Sequence, residues 1–283
     1  MNESNINFEG KSIKEIVDYA DNLFRGDDNK KIEAHKIYKL VLEKIPNLQD
    51  GEKPYVVRGI IRKRIWDCLR KLGQNSDYFS EAGQDMLVKD NFFKNKKSGF
   101  FVEIGAYDGI EGSNCYHFEK FMNWEGIAVE ASPLQFEKLK KNRKCQLINK
   151  AISHEIKEVE FLEVIEGLTQ MSGINDNDYR ETLDIITNNK ISKTKSYNLK
   201  TVTFDEIVPK NFDIDYISID IEGGEMNLLN SINFNNYNIK VISVENNIPE
   251  KQNFKTFFED KGFIYFDRVG QDEIFYNCKY FRF

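Results

Sequence analysis

The sequence predicts an α/β fold built on a mostly parallel sheet, and three observations carry that prediction. The apolar run Phe100–Ile104 reads as a buried strand that breaks into a Gly-rich turn, Gly105-Ala106-Tyr107-Asp108-Gly109. Two later apolar runs also end in a carboxylate: Gly126–Val129 before Glu130, and Tyr216–Ile219 before Asp220. The chain closes with two strand-like runs, Phe263–Val269 and Glu273–Phe281, around Gly270-Gln271-Asp272, a hairpin that puts the last strand antiparallel in the sheet. Parallel strands that end repeatedly in acidic residues set one ligand crevice along their carboxyl edge.

At 283 residues the chain exceeds one typical domain. A helical appendage over residues 1–75 and a main domain over residues 76–283 are expected. Hydrophobic residues make up 40% and aromatics 13%, enough for a sizeable core. The net charge of −6, with both signs interspersed, gives no reason to favour nucleic acid or an anionic membrane. Cys68, Cys115, Cys145 and Cys278 form no CxxC pair and read as the reduced thiols of a cytoplasmic protein. Met1 to Glu9 is polar and acidic, unlike a signal peptide. No apolar run approaches the roughly 20 residues of a membrane span.

Residues 11–73 read as three helices. Ser12 and Glu15 match a capping box, and Ile13, Ile16, Val17, Ala20 and Leu23 follow on one face. Gly26-Asp27-Asp28 breaks the pattern. Ile32, Ala34, Ile37, Tyr38, Val41 and Ile45 mark a second helix that stops before Pro46. The pair resembles one tetratricopeptide-type hairpin, too short for a solenoid. A third helix, Tyr55 to Leu72, has Val57, Ile61, Ile65, Leu69 and Leu72 on one face. Its basic residues Arg58, Arg62, Lys63, Arg64, Arg70 and Lys71 are either a solvated face or a patch for an anionic partner. Three helices close a core poorly, so self-association through them is expected.

In the main domain, Ser80 to Asp85 forms a turn before a helix, Met86 to Phe93. It either caps that helix or folds over a ligand. After the Gly-rich turn and Ser113-Asn114, a helix runs through Phe121. Glu130 lies 27 positions beyond Glu103, near the spacing of a carboxylate that accepts hydrogen bonds from a ribose. Pro133 opens a helix to Lys144, and Cys145 to Ile152 is the third strand. Val159 to Val164 alternates and suggests an extra strand. Residues 166–196 lack periodicity and read as a long loop of the lid or binding kind. A helix from Met226 to Ile232, a strand from Lys240 to Val244 ending in Glu245-Asn246-Asn247, and a helix from Gln252 to Lys261 complete the alternation.

Strict GxGxxG is absent, because the third and sixth places from Gly105 are Tyr107 and Ile110. With the terminal hairpin, this favours a methyltransferase-type sheet over a dehydrogenase sheet. Val102-Glu103-Ile104-Gly105-Ala106, Asp108-Gly109, Ser113-Asn114, Glu119-Lys120, Trp124-Glu125-Gly126 and Val129-Glu130 together resemble the FkbM-type methyltransferases. So do Ser80 to Asp85, Lys150-Ala151-Ile152-Ser153, and Ile219-Asp220-Ile221-Glu222-Gly223-Gly224-Glu225. The resemblance covers about residues 80–283. It implies a class I Rossmann-like seven-stranded sheet with an antiparallel last strand, S-adenosylmethionine as cofactor, and O-methylation, often of sugars or polyketide-type products. It also implies cofactor contacts at Gln84, Asp85, Glu103, Gly105, Ala106, Asp108, Gly109, Asn114, Glu130, Ala131, Ser132, Ala151, Ile152 and Asp220. Among these, Glu130 would take the ribose hydroxyls, Ala151 would border the adenine, and Asp220 would face the sulfonium. Tyr107 departs from the small or polar residue usual in this turn.

Methyl transfer to a hydroxyl needs alignment and proton removal. Asp220, Glu222 and Glu245 are the catalytic candidates, with Glu225 and His154 behind them. A divalent ion is an alternative to a metal-free base and is less favoured. The expected acceptor is a sugar or glycan, with other small-molecule acceptors as the runner-up. No prolines are adjacent, which removes the Pro-Pro-aromatic motif of base-amino methyltransferases, and no Pro-Cys nucleophile is present. A cofactor-less scaffold with a partner-binding helical module is the non-enzymatic alternative, and turnover on any acceptor would exclude it.

Overall fold

The computed structural model describes residues 10–45 and 54–282. The expectations placed on Met1 to Glu9 and on Pro46 lie outside these residues. Backbone contacts divide the chain into two units, residues 1–76 with 268–271, and residues 77–267 with 272–283.

The first unit holds α1 (Ile13–Phe24), α2 (Asp28–Lys44) and α3 (Pro54–Lys71). Ser12 and Glu15 form the capping box at α1, and Asp27 caps α2 by accepting from the Lys30 amide at 3.0 Å. Ile16, Ala20, Ala34, Ile37, Tyr38, Val41, Ile61 and Cys68 form the core. Ile32 is 39% exposed instead. It stands two residues before Ala34, about 200° around a helix of 3.6 residues per turn, so it cannot share that face. Arg64 pairs with Asp21 at 2.6 and 2.7 Å, and Tyr38 also donates to Asp21. Arg58 donates to the Leu42 and Ile45 carbonyls at the end of α2, at 3.0 and 2.9 Å. Two members of the basic set on α3 therefore serve the unit itself.

In the second unit, α4 (Gln84–Phe92) precedes the first βα turns. These are β1 (Phe100–Ile104), α5 (Tyr116–Met122), β2 (Glu125–Val129), α6 (Pro133–Asn142) and β3 (Gln146–Ile148). An excursion follows, with β4 (Glu158–Glu166), β5 (Gly173–Ile174), α7 (Arg180–Asn188) and β6 (Lys193–Lys200). The chain then completes α8 (Phe204–Ile207), β7 (Phe212–Ile219), α9 (Glu225–Ser231), β8 (Tyr237–Glu245), α10 (Phe254–Glu259), β9 (Phe263–Val269) and β10 (Asp272–Asn277). One seven-stranded sheet has the order β3-β2-β1-β7-β8-β10-β9. Its strands β3, β2, β1, β7 and β8 are parallel, and β10 runs antiparallel to β8. This is the sheet that the carboxylate-ended strands and the terminal hairpin predict. The carboxyl halves of β7 and β8 are buried on both faces, which is why Tyr216–Ile219 and Val241–Val244 read as mainly apolar runs. Asp215 is a buried charge within β7, and Lys96, Lys240 and the Phe100 amide satisfy it at 2.7, 2.6 and 3.0 Å.

The segment read as a long loop, residues 166–196, is ordered secondary structure. A single 3₁₀ turn, Thr169–Met171, precedes β5, and β5, β4 and β6 form a separate three-stranded sheet. The extra strand expected at Val159 to Val164 is β4, and it joins this sheet instead of the main one. β6 escaped detection because its side chains are largely exposed, leaving no apolar alternation. It is held by backbone pairing along β4 and by facing charges such as Glu163 with Lys195 and Glu158 with Lys200. Tyr179, Ile186 and Leu183 seat α7 on Leu162 and Val164. The excursion leaves and returns at one place. Ile152 bridges Val202, and Thr201 Oγ1 accepts from the Lys157 amide at 2.9 Å and donates to the Glu155 carbonyl at 2.7 Å. The third strand is correspondingly shorter than Cys145 to Ile152, because the chain turns away after Ile148 to begin this excursion.

Arg143, just past α6, ties three elements together. It donates to Glu103 on β1 at 2.7 Å, to Glu119 on α5 at 2.6 Å, and to the Gly109 carbonyl at 3.2 Å. Its side chain is 0% exposed, with Glu103 at 4% and Glu119 at 11%. Breaking a buried pair by removing one partner leaves an uncompensated charge. Arg143→Met should therefore destabilise the protein by about 3–5 kcal/mol, read as a lower urea midpoint.

Candidate functional site

The site is assembled where β1, β2, β7 and β8 end. Gly105 follows β1 with φ +84, and a Cβ placed there would stand 1.7 Å from the Asp220 carbonyl oxygen. The close approach that demands glycine here is to the end of β7. The Gly105 and Ala106 amides both donate to the Val129 carbonyl at 3.0 Å. Asp108 accepts from the Ile110 and Glu111 amides at 2.8 Å and shapes the turn. A Cβ on Gly109 would meet Leu139 Cδ1 at 2.5 Å and Arg143 Cγ at 2.7 Å, so this glycine serves packing of α6.

Several residues that the resemblance assigns to the cofactor are occupied by the protein. Glu103 accepts from Ser113 Oγ at 2.7 Å and the Cys115 amide at 3.2 Å on one oxygen, and from Arg143 on the other. Both of its oxygens thus have partners within the protein. Asp85 is fully buried and accepts from Ser80 Oγ at 2.5 Å and from the Phe79 and Met86 amides at 2.7 and 2.8 Å. Burial pushes its carboxyl up against those hydrogen bonds. Gln84 Oε1 accepts from the Ala82 amide at 2.9 Å. These contacts knit the turn before α4, which starts two residues before the expected Met86. Asn114 Nδ2 donates to Ser218 Oγ and Asp272 Oδ2, both at 3.0 Å, while its buried Oδ1 has no protein partner.

Glu130, at the end of β2, is 9% exposed. One carboxylate oxygen accepts from the Tyr107 amide at 2.8 Å and the other from the Ser132 amide at 2.7 Å. Burial outweighs these contacts and pushes its carboxyl up to about 7. Ala131 adjoins it, with its carbonyl accepting from Asn149 Nδ2 at 3.2 Å. Ser132 caps α6, accepting from the Gln135 amide at 3.1 Å. Ala151 and Ile152 are buried beside Val202, whose amide donates to the Ala151 carbonyl at 2.9 Å.

Asp220, Glu222 and Glu245 converge as expected, each offering an oxygen within 4.8 Å of the others. The register pair Ile219 and Val244 sets Asp220 and Glu245 at matching strand ends, with their carboxylate oxygens close together. Burial, then the Glu222 and Asp272 charges, raises Asp220 well above the usual carboxylate range. Burial, then Asp220, does the same to Glu245. Burial, then Glu225, pushes Glu222 up to about 7. Crowded carboxylates oppose one another's ionisation, so each is pushed towards its protonated form. It is also a hard oxygen set of the kind that holds a divalent cation.

Glu222 stands at φ +60, a left-handed conformation that persists only where surroundings enforce it. Thr182 Oγ1 of α7 donates to its carboxylate at 3.4 Å, and Asn227 Nδ2 donates to Asp178 at 2.6 Å. A Cβ on Gly223 would meet the Asp178 carbonyl at 2.7 Å. Glu225 accepts from the Ile221 and Gly223 amides at 3.2 and 2.9 Å and braces the same turn. His154 lies outside the acidic group, on an exposed rim 3.3 Å from Glu155. Thr182 and Arg143 escaped sequence reasoning. Thr182 lay in the apparent loop, and nothing in the spacing of Arg143 pairs it with Glu103.

The raised Glu130 group has a consequence for stability. Its folded pKa of about 7 lies above the ordinary 4.5, so its contribution is full below pH 4.5 and is lost as pH rises through 7. Wild-type stability should fall between pH 5 and 7.5, and Glu130→Gln should fall less steeply across the same window. Urea unfolding at the two pH values measures both.

The family described as "Methyltransferase FkbM domain" matches residues 103–267. No curated protein sequence matches the chain. Among solved structures, the chain is similar to a methyltransferase FkbM from Methylobacillus flagellatus at 8% identity and a TM-score of 0.44. That match covers 92% of this chain and 60% of the other. It is also similar to the N-terminal domain of human METTL16, at 10% identity, a TM-score of 0.36, and coverage of 98% and 97%. For the mitomycin 7-O-methyltransferase MmcR the values are 10%, 0.33, 90% and 74%. The chain thus spans about 60% of the length of the first of these structures. With every TM-score below 0.5, the fold assignment rests on the strand order instead.

Proposed function

Because the chain belongs to the FkbM family of S-adenosylmethionine-dependent methyltransferases, we propose that it methylates a hydroxyl group, with a sugar or glycan as acceptor. The observation that carries this reading is the convergence of Asp220, Glu222 and Glu245 at the carboxyl edge that also holds Glu130. S-adenosylmethionine supplies an activated methyl group when bound.

The residues fit that cofactor. Glu130 accepts the ribose hydroxyls with its remaining lone pairs, between Ala131, Ser132 and the Gly105-Ala106 turn. Ala151 and Ile152 border the adenine. The unpartnered Oδ1 of Asn114 is a buried acceptor that an ammonium group would satisfy. Asp220 faces the reacting end.

A hydroxyl is a poor nucleophile while protonated. In this reading one of Asp220 and Glu245, side by side and both pushed towards their protonated forms, acts as the carboxylate base while the other keeps its proton. Glu222, held by Thr182, borders the same oxygen. A cavity of about 340 Å³ beside this turn is lined by His154, Lys157, Asn177, Asp178, Ile221 and Asn227, among others. Its mixture of amide, carboxylate and basic groups suits a ring carrying several hydroxyls. Methyl transfer to a polyketide-type hydroxyl alone, in a panel including sugars, would replace the sugar reading. Cofactor binding without turnover on any member would favour a scaffold.

No helix among the described residues is long and apolar enough to cross a membrane. With four free thiols, a cytoplasmic location is the reading we adopt. The first unit exposes Ile13, Tyr19, Ile32, Leu40 and Ile60, which supports self-association through its helices. Light scattering of Ile60→Glu tests this, and an unchanged mass would remove the idea.

Two variants separate binding from chemistry. Glu130→Ala should weaken S-adenosylhomocysteine binding about tenfold or more by calorimetry, as loss of charged hydrogen bonds implies. Unchanged affinity in the folded variant sinks the ribose assignment. Glu245→Gln keeps the shape, and it should lower turnover about 100-fold or more while cofactor affinity stays near that of wild type. Activity lost on EDTA treatment and restored by Mg²⁺ would replace the base by a metal.

A further inference from the structure

The hydrogen bonds around Glu130 close into a circuit that crosses from the main sheet to the inserted one. The Tyr107 amide donates to one carboxylate oxygen and the Ser132 amide to the other. Ser132 Oγ donates to Glu163 on β4. The chain continues from Glu163 to the 3₁₀ turn at Thr169–Met171. There the Thr169 hydroxyl meets the Tyr107 hydroxyl at 2.6 Å, which returns the circuit to its start. Tyr107 stands at φ +48, a backbone conformation that bulky residues rarely adopt. The amide bond to Glu130 and the hydroxyl bond to Thr169 hold it there, at opposite ends of one residue. Both bonds are partly buried, and Glu130 is nearly enclosed.

We propose that Tyr107 and Thr169 form a strap across the Glu130 carboxylate, and that the cofactor enters and leaves only when their mutual hydrogen bond opens. This rests on the assignment of Glu130 to the ribose. Tyr107 is then a positioning residue with two tasks. Its amide aims the carboxylate, and its hydroxyl fastens the inserted sheet over it. The departure of Tyr107 from the small residue usual in this turn gains a reason, since only a side chain of this reach spans to Thr169. The device also couples the two sheets.

Tyr107→Phe and Thr169→Val remove the same bond from opposite ends and leave every contact to Glu130 in place. In stopped-flow binding of S-adenosylhomocysteine, each variant should raise both association and dissociation rates about tenfold, as loss of one hydrogen bond allows. The dissociation constant should stay within about twofold. The double variant should match either single one, because the bond can be lost only once. Without ligand, hydrogen exchange of residues 167–172 should speed up in both variants. Unchanged rates, additive effects, or a faster dissociation with unchanged association would each overturn the strap. The last outcome would make the Tyr107 hydroxyl a direct ligand contact. Wild-type protein that binds no S-adenosylhomocysteine would instead overturn the ribose assignment, and unchanged exchange would overturn the bond itself whatever the binding result.

Discussion

The close approach of Gly105 to the Asp220 carbonyl is the constraint on which the rest of the site depends. Strands β1 and β7 meet at their carboxyl ends with no room for a side chain between them. That contact turns the chain sharply after β1. The turn places the Tyr107 amide on Glu130 and, from the other side, fixes where Asp220 begins its own turn. Arg143 then fastens the far end of the same loop through Glu103 and the Gly109 carbonyl. The placements of Glu130 and of Asp220 are thus set by one backbone contact, with a buried ion pair as its anchor.

Crowding acid groups at one edge trades stability for chemistry. Glu130, Asp220, Glu222 and Glu245 are all pushed towards their protonated forms, chiefly by burial. Each would be more comfortable in water. The left-handed Glu222 adds backbone strain of about 1–3 kcal/mol. These groups are held by residues outside the acidic group: Glu225 bracing the strand-end turn, Asp178 pressing on it from just before α7, and Thr182 from α7 itself. A neutral carboxyl beside an ionised one is the arrangement a proton-handling site requires.

The main sheet was legible because its central strands are buried on both faces and end in carboxylates, two signals that reinforce each other. Glu130, Asp220 and Glu245 were found for that reason. The inserted sheet was not legible. β6 keeps its side chains in water and is held by backbone pairing, so periodicity has nothing to report, and α7 is only nine residues long. The internal partners of the motif residues were not legible either: only three-dimensional neighbours reveal that Arg143 pairs with Glu103 and that the Ser80 turn donates to Asp85. Thr182 and Thr169 could be found only once the excursion had a structure.

The bridge between Ile152 and Val202 has a further meaning. A segment whose two ends meet can change length without moving the framework it springs from. The entropy of closing such a loop grows only as the logarithm of its length, about 0.6 kcal/mol per doubling. The stretch between Ser153 and Thr201 can therefore lengthen or shorten from two fixed ends while β3, α8 and the parallel strands keep their register, so long as its ties at Glu163, Thr169, Asp178 and Thr182 are kept. A protein engineer could vary the exposed β6 and the turns between those ties without touching the main sheet.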